Sequence, residues 1–254
     1  MSNQKNIHKS LSHYCKEMSS LSNDITNCYT KDDIHKLRVD FKKMRALLRW
    51  QKADKTIYSS CKKMYNAAGK LRTIQLSGEI LEAENNKYRS LKKWLAIKNA
   101  EAKKEWESSV DKKSLNEFKK RVDTLKLVPH KHKKFFLKRR AKIKEILGMN
   151  IPADTRLHDI RKMAKDMEYV LAWQNKSGHK PHDLKGISAG MLKKIGKLIG
   201  HYNDKQMFLV LIDGYLQKTA GRPKPEPIDN LMSKWQQIKQ TEKKQLLSTL
   251  RNVF

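Results

Sequence analysis

A row of cations lies along one face of the segment from His35 to Trp50, which reads HKLRVDFKKMRALLRW. Its members recur at three- and four-residue intervals, the spacing that stacks side chains on one face of an α-helix, and they are His35, Arg38, Lys42, Arg45 and Arg49. Like charges at this spacing repel by about 0.2–0.5 kcal/mol per pair. Arginine can donate to two oxygens of one phosphate, and lysine acts as a point charge. The row therefore predicts a binding site for an extended anion.

An apolar stripe runs beside these cations on the same helix, at Ile34, Leu37, Phe41, Met44 and Leu48. This spacing is typical of the core-facing side of an α-helix. The two stripes lie about 100° apart around the helix axis, since successive residues are separated by that angle. We therefore expect the cations to lie at the edge of a buried face and to point inward, into a space shared with other helices.

The segment repeats further along the chain at an offset of 123 residues, with six of sixteen positions identical. His158, Arg161 and Lys165 align with His35, Arg38 and Lys42. The apolar stripe repeats as well, at Leu157, Ile160, Ala164, Met167 and Leu171. The segments that follow, 67–76 and 198–207, also correspond, and each has a glycine inside a helical pattern. Glycine costs about 1 kcal/mol relative to alanine in a helix, so we expect a close approach of two helices there. Arg72, one helix over, is expected near the first row.

The net charge favours a polyanionic partner. The 254 residues include 56 Lys and Arg against 26 Asp and Glu, a formal charge of +30. Nucleic acid, an anionic membrane surface, a phosphate polymer and a merely solvated basic surface all remain open at this point. Three cysteines without metal-ligand spacing, no secretory leader and no run of 18 apolar residues predict a reduced, cytoplasmic protein without a membrane span.

Helical periodicity extends over nearly the whole chain and predicts an all-α fold. We expect helices at about 5–22, from the Thr30–Asp33 cap onward, at 54–84, 85–110 and 112–127, and then at 135–149, 156–173, around 198–207 and at 229–251. The segment 128–134 interrupts the pattern with Pro129, and 221–230 is a proline-rich connector. The repeat predicts two related halves, 1–127 and 128–254, each presenting one basic helix.

These residues resemble the CHAD family, the conserved histidine α-helical domain. HKLRVDFKKMR resembles its first-repeat motif, and the second-repeat motif is matched by His158, Arg161, Lys165 and Tyr169. The next helix of each repeat resembles the family's Leu-Gly-x-x-Arg/His-Asp pattern at Gly69 with Arg72 and at Gly200 with Asp204, although Thr73 and Asn203 depart from it. The resemblance implies two pseudo-symmetric four-helix bundle-like repeats around a central basic pore or cleft. It also implies binding of inorganic polyphosphate, with no known chemistry of its own and an association with polyphosphate granules left open.

Two acids depart from the family pattern, because Asp166 and Glu168 stand where cations are usual. Either the second half binds more weakly or these acids pair with nearby lysines. A further basic cluster at 133–142 is either a ligand wall or a solvated helix face. The two histidines could donate to phosphate, more strongly when protonated below about pH 6.5, or could serve only in packing.

The candidate polyphosphate-binding residues are His35, Arg38, Lys42, Arg45, Arg49, Arg72, Lys138, Arg139, Lys142, His158, Arg161 and Lys165. No catalytic motif, metal site or cofactor site is expected, and the HKH triplet at 130–132 is interpreted as a basic loop. Nonspecific nucleic-acid binding and a scaffold for acidic proteins are the alternatives. The sequence leaves the oligomeric state open.

Overall fold

The computed structural model describes residues 2–59, 61–84, 87–127, 133–178, 184, 186–219, 221 and 227–254. Within these ranges the regular structure is helical, without strands, which confirms the predicted all-α class. The helices are α1 (Ser2–Cys28), α2 (Lys31–Trp50), a 3₁₀ turn (Lys55–Tyr58), α3 (Lys62–Glu82), α4 (Arg89–Ser109), α5 (Lys112–Asp123), α6 (Lys133–Leu147), α7 (Asp154–Lys176), α8 (Ala189–Lys218) and α9 (Ile228–Val253). Among the described residues, no helix has the length and apolar character needed to cross a bilayer.

Helix starts follow local chemistry that is visible in the sequence. The hydroxyl of Thr30 accepts a hydrogen bond from the Asp33 amide at 3.1 Å and caps α2, as predicted. The Asp111 carboxylate accepts from two amides and caps α5 in the same way. The predicted helix 54–84 is wrong at its start, because Asp54 caps a short 3₁₀ turn and α3 begins only at Lys62. The loop at 128–132 and the connector at 222–226 lie outside the described residues.

The two basic helices pack against each other at the centre of the fold. α2 contacts α1, α3 and α7, while α7 contacts α6, α8 and α2. Both predicted apolar stripes are buried in the core, that of α2 at Ile34, Leu37, Phe41, Met44 and Leu48 and that of α7 at Leu157, Ile160, Ala164, Met167 and Leu171. The stripes therefore fix which face of each helix turns inward, and the cations follow at its edge.

Neighbouring helices contact one another in the same order in the two parts of the chain. α1 to α4 contact in sequence, as do α6 to α9, and α3 also meets α8 across the molecule. α5 packs on α1 and on the 3₁₀ turn. This order agrees with an internal repeat, while the pseudo-symmetry of the halves and their division at residue 127 stay predictions.

Candidate anion-binding site

Lys42 lies at the meeting point of the two cation rows. Burial holds the pKa of its amine well below the usual value, and repulsion by Arg38, Arg161, Arg45 and Lys165 lowers it further. Two of these cations belong to α2 and two to α7, so the packing of the helices brings the rows together, as the sequence predicted. In the part of the chain that the structure describes, no carboxylate lies within ion-pair distance of Lys42.

Arg38 occupies a slot on the neighbouring helix α3. Its Nη1 donates to the Tyr65 carbonyl at 3.0 Å, and its Cζ lies 4.6 Å from the centre of the Tyr65 ring. A Cβ at Gly69 would lie only 2.4 Å from the same Nη1. Burial lowers the pKa of the guanidinium, and the nearby charges of Arg161 and Arg72 act in the same direction. Gly69 thus leaves the space that this guanidinium fills.

Arg161 makes the corresponding contacts between α7 and α8. Its Nε donates to the Gly196 carbonyl at 3.3 Å, and a Cβ at Gly200 would lie 3.0 Å from its Nη2. A Cβ at Gly196 would lie 2.5 Å from Cε of Lys165. The sequence predicted a close approach of two helices at Gly69 and Gly200, and the structure shows that a cationic side chain of the adjacent helix fills the space that each glycine leaves.

The aromatic ring of Tyr65 contacts two arginines of α2. Its ring stacks on Phe41 with centroids 4.4 Å apart, and the Cζ of Arg45 lies 5.7 Å from both rings. Among the described residues, the Nε of Arg45 and the Nη1 of Arg72 are buried without a hydrogen-bond partner. Unpaired buried donors cost about 1–3 kcal/mol each. An anion entering this cluster is the acceptor that the surrounding residues lack.

Asp166 is a buried carboxylate that pairs with two arginines of the cation cluster. Its buried Oδ2 accepts from Arg49 Nη1 at 3.0 Å and from Arg139 Nη2 at 3.1 Å. Glu168 binds Lys165 at 2.7 Å. The acids of α7 therefore pair with cations, Glu168 with a lysine as anticipated and Asp166 with two arginines. Arg49 and Arg139 are thereby compensated, while Arg38, Lys42 and Arg161 are not bridged to any carboxylate within the described ranges.

Both histidines of the repeat lie at exposed positions beside the cluster, where partial desolvation and neighbouring cations disfavour the charged imidazole. Burial lowers the pKa of His158 to about 4, assisted by Lys162 and Arg161, and burial with Arg72 lowers that of His35. Asn203 Nδ2 lies 3.1 Å from His158 Nδ1. An amide nitrogen donates, so this contact favours the tautomer in which Nδ1 accepts. Protonation below about pH 6.5, expected from the sequence, is therefore disfavoured in the anion-free protein.

The basic residues of α6 divide into one that contacts α7 and two that face solvent. Arg139 faces α7 through Asp166 and places its guanidinium 3.5 Å from the Phe135 ring centre. Lys138 and Lys142 are exposed, and Lys142 pairs with Glu145 one turn on. Of the two readings that the sequence left open, the solvated face describes these two lysines.

Two polar residues near the site, Tyr65 and Asp204, are not among the binding residues predicted from the sequence. Tyr65 stands one helical turn before Gly69, where its carbonyl and ring reach Arg38. Asp204, noted only as a motif position, lies near Arg161, Arg72 and Lys42; burial raises the pKa of its carboxyl, and these cations partly oppose the rise. A cavity of about 520 Å³ between α3 and α4 is lined by none of the predicted cations. No group of possible metal ligands occurs in the described part of the chain.

Comparison with known proteins agrees with the arrangement of the helices. The crystal structure of the CHAD domain from the plant Ricinus communis matches with a TM-score of 0.71 at 12% sequence identity, covering 97% of this chain and 91% of that one. No curated protein matches the chain. The family model named CHAD domain matches residues 9–175, more than half of the sequence. The chain therefore belongs to the CHAD domain family.

Proposed function

We propose that the protein binds inorganic polyphosphate in the cleft between α2 and α7 and performs no chemistry on the polymer. The observation that carries this proposal is the set of four cations around Lys42 with no carboxylate bridging it among the described residues. A cluster of this kind is destabilised by self-repulsion until an anion enters. A chain of phosphates supplies one negative charge at each step, which suits cations placed at successive helical turns.

The chemistry of the cleft favours a phosphate polymer over single-stranded nucleic acid. Proteins that bind single strands without sequence preference present aromatic faces on which bases stack. Tyr65, the aromatic ring closest to Arg38, is already stacked on Phe41 and covered by guanidinium groups. The remaining contacts available to a ligand are cationic donors. Membership in the CHAD family supports the same reading, since its members in general are associated with polyphosphate.

Calorimetric titration tests the proposal. Long-chain polyphosphate and single-stranded RNA are compared at matched phosphate concentration and at two salt concentrations, because nonspecific phosphate binding weakens steeply with salt. We expect polyphosphate binding to survive physiological salt and RNA binding to disappear. Equal affinities that vanish together as salt rises would refute a specific polyphosphate site.

A double charge reversal locates the site. Arg38→Glu with Arg161→Glu should abolish binding while the far-ultraviolet circular dichroism stays that of a helical protein. Lys112→Glu with Lys113→Glu makes the same change in net charge at exposed positions on α5, which packs on α1. This control should bind nearly as the wild type does. Equal losses in both variants would mean that only total charge matters.

A further inference from the structure

Lys42 differs from the lysines around it in what holds its amine. Lys43, the next residue on α2, binds Asp40 at 2.9 Å. Lys165, the residue of α7 that corresponds to Lys42 in the repeat, binds Glu168 at 2.7 Å. Lys42 forms no such pair among the residues that the structure describes. Lys42 is partly exposed, so small molecules can reach this residue from solvent.

The groups that face Lys42 are predominantly cationic. They comprise His35, Arg38 and Arg45 from α2, His158, Arg161 and Lys165 from α7, and the carboxyl group of Asp204 from α8. Burial and this repulsion both disfavour the charged amine, which explains the depressed pKa of Lys42. Desolvation and neighbouring cations favour the uncharged amine, which is the nucleophilic form of a lysine.

Two arginines next to this amine are positioned to hold a phosphate group. Arg38 is fixed by the Tyr65 carbonyl on α3, and Arg161 by the Gly196 carbonyl on α8. Each guanidinium has five N–H donors, and these contacts use one of them. A phosphoryl group bound between the two helices would therefore bring whatever is attached to it close to Lys42.

We propose that Lys42 is a modification site for small acyl phosphates, whose phosphoryl group binds Arg38 and Arg161 and whose acyl group is transferred to Nζ. This inference rests on the anion site of the proposed function. The lone pair of Nζ attacks the carbonyl carbon and forms the N–C bond, and the C–O bond to the phosphoryl group breaks. Inorganic phosphate leaves with the electron pair, and the amine proton passes to water. No oxidant or reductant takes part.

Acyl phosphates fit this cluster better than phosphorylated aldehydes do. Their leaving group is itself phosphate, so the arginines stabilise the charge that develops as the C–O bond breaks. The resulting amide carries no charge, and the centre of the cleft loses a cation. Acylation of Lys42 is therefore expected to weaken polyphosphate binding, and bound polyphosphate is expected to shield the amine. The two reactions at Lys42 would exclude each other.

The test uses acetyl phosphate with the full chain near neutral pH, and peptide mapping by mass spectrometry to measure the acetylation rate at each lysine. Lys42 is expected to react about tenfold faster than Lys43 or more, since a bound phosphoryl group would hold the acyl carbon beside its amine, whereas the amine of Lys43 is held by Asp40. Acetic anhydride, which has no phosphoryl group, should show a smaller preference for Lys42. Replacement of Arg161 by Gln removes a phosphate ligand and also one of the charges that repel the Lys42 amine, so acetylation at Lys42 should fall with both reagents, and by a larger factor with acetyl phosphate.

The outcomes separate this inference from the proposed function. Selective acetylation of Lys42 that excess long-chain polyphosphate fails to suppress would retain the modification site and contradict the polyphosphate site. Tight polyphosphate binding with Lys42 reacting no faster than Lys43 would overturn the modification site alone. Equal selectivity with the anhydride would also overturn it, because the phosphoryl group would then contribute nothing to recognition.

Discussion

Gly69→Ala should separate the position of the Arg38 guanidinium from the stability of the fold. The added methyl carbon would lie 2.4 Å from Arg38 Nη1 and 3.3 Å from Cζ, so the flexible end of this side chain must move. Its hydrogen bond to the Tyr65 carbonyl is then lost, at a cost of about 1.5–3 kcal/mol. Alanine returns about 1 kcal/mol through its higher helix propensity. We therefore expect the free energy of unfolding to fall by only about 0.5–2 kcal/mol.

The effect on binding should be larger relative to its control. A displaced Arg38 no longer presents its donors to the ligand, and loss of one charge-assisted contact worth about 1.5–3 kcal/mol weakens Kd roughly 10- to 100-fold. Gly78→Ala is the matched control on the same helix, since its Cβ would meet only Leu95 Cδ2 at 3.9 Å. That variant should gain about 0.5–1 kcal/mol of stability and bind polyphosphate as the wild type does.

Calorimetry with long-chain polyphosphate and urea unfolding provide the two readouts on all three proteins. If Gly69→Ala keeps wild-type affinity, the slot that holds Arg38 has no role in binding and the argument fails. If Gly78→Ala loses affinity to the same extent, the effect arises from the α3 backbone in general. A wild-type Kd for the control together with a weakened Kd for Gly69→Ala is the result that the geometry predicts.

Three further expectations concern charge and pH. Asp166→Asn leaves Arg49 without its carboxylate, so urea unfolding should show a free energy of unfolding that is lower by about 2–3 kcal/mol. Polyphosphate should raise the Tm of this variant more than that of the wild type. Asp154 is partly buried, which raises the pKa of its carboxyl group, but hydrogen bonds from Lys239 and Lys243 outweigh this and lower the pKa to about 2. The resulting stabilisation, about 1 kcal/mol after solvent screening, should be present above about pH 4 and disappear as the pH falls toward 2. Urea unfolding of Asp154→Asn should lack this contribution at both pH values. The pKa of His158 is about 4 in the folded protein, so on acidification the unfolded chain binds a proton at this residue before the folded chain does. The Tm of the free protein should therefore fall between about pH 6.5 and pH 4. This fall should be smaller in His158→Gln.

The helices could be predicted from the sequence because apolar spacing and capping residues are local signals. The stripes beginning at Ile34 and Leu157 are buried as expected, and Thr30 caps α2. The error at 54–84 also has a local cause, because Asp54 accepts from the Thr56 amide at 2.9 Å and starts a 3₁₀ turn. The capping signal was present there, but helical periodicity on both sides concealed it.

The state of each cation could not be predicted from spacing, since it depends on partners that are distant in the chain. Arg49 belongs to the same row as Lys42, yet it meets Asp166 from a helix more than a hundred residues away. A glycine within a helical pattern marks Gly69 as unusual, but only the tertiary structure shows that the Arg38 guanidinium occupies the space beside it. Sequence periodicity therefore identified the row, and tertiary contacts decide which of its members remain available to an anion.

The repeat explains why the available charge is concentrated on α2. At the repeat offset, Asp166 aligns with Lys43 and Glu168 aligns with Arg45, so α7 has acids where α2 has cations. Glu168 compensates Lys165, whereas the equivalent Lys42 receives only the repulsion of Arg45 and its neighbours. The acids thus reduce the net positive charge that α7 contributes to the cluster. Binding free energy is therefore expected to come mainly from α2, with Arg161 as the principal contribution of α7, and this asymmetry follows from two substitutions within an otherwise shared helical pattern.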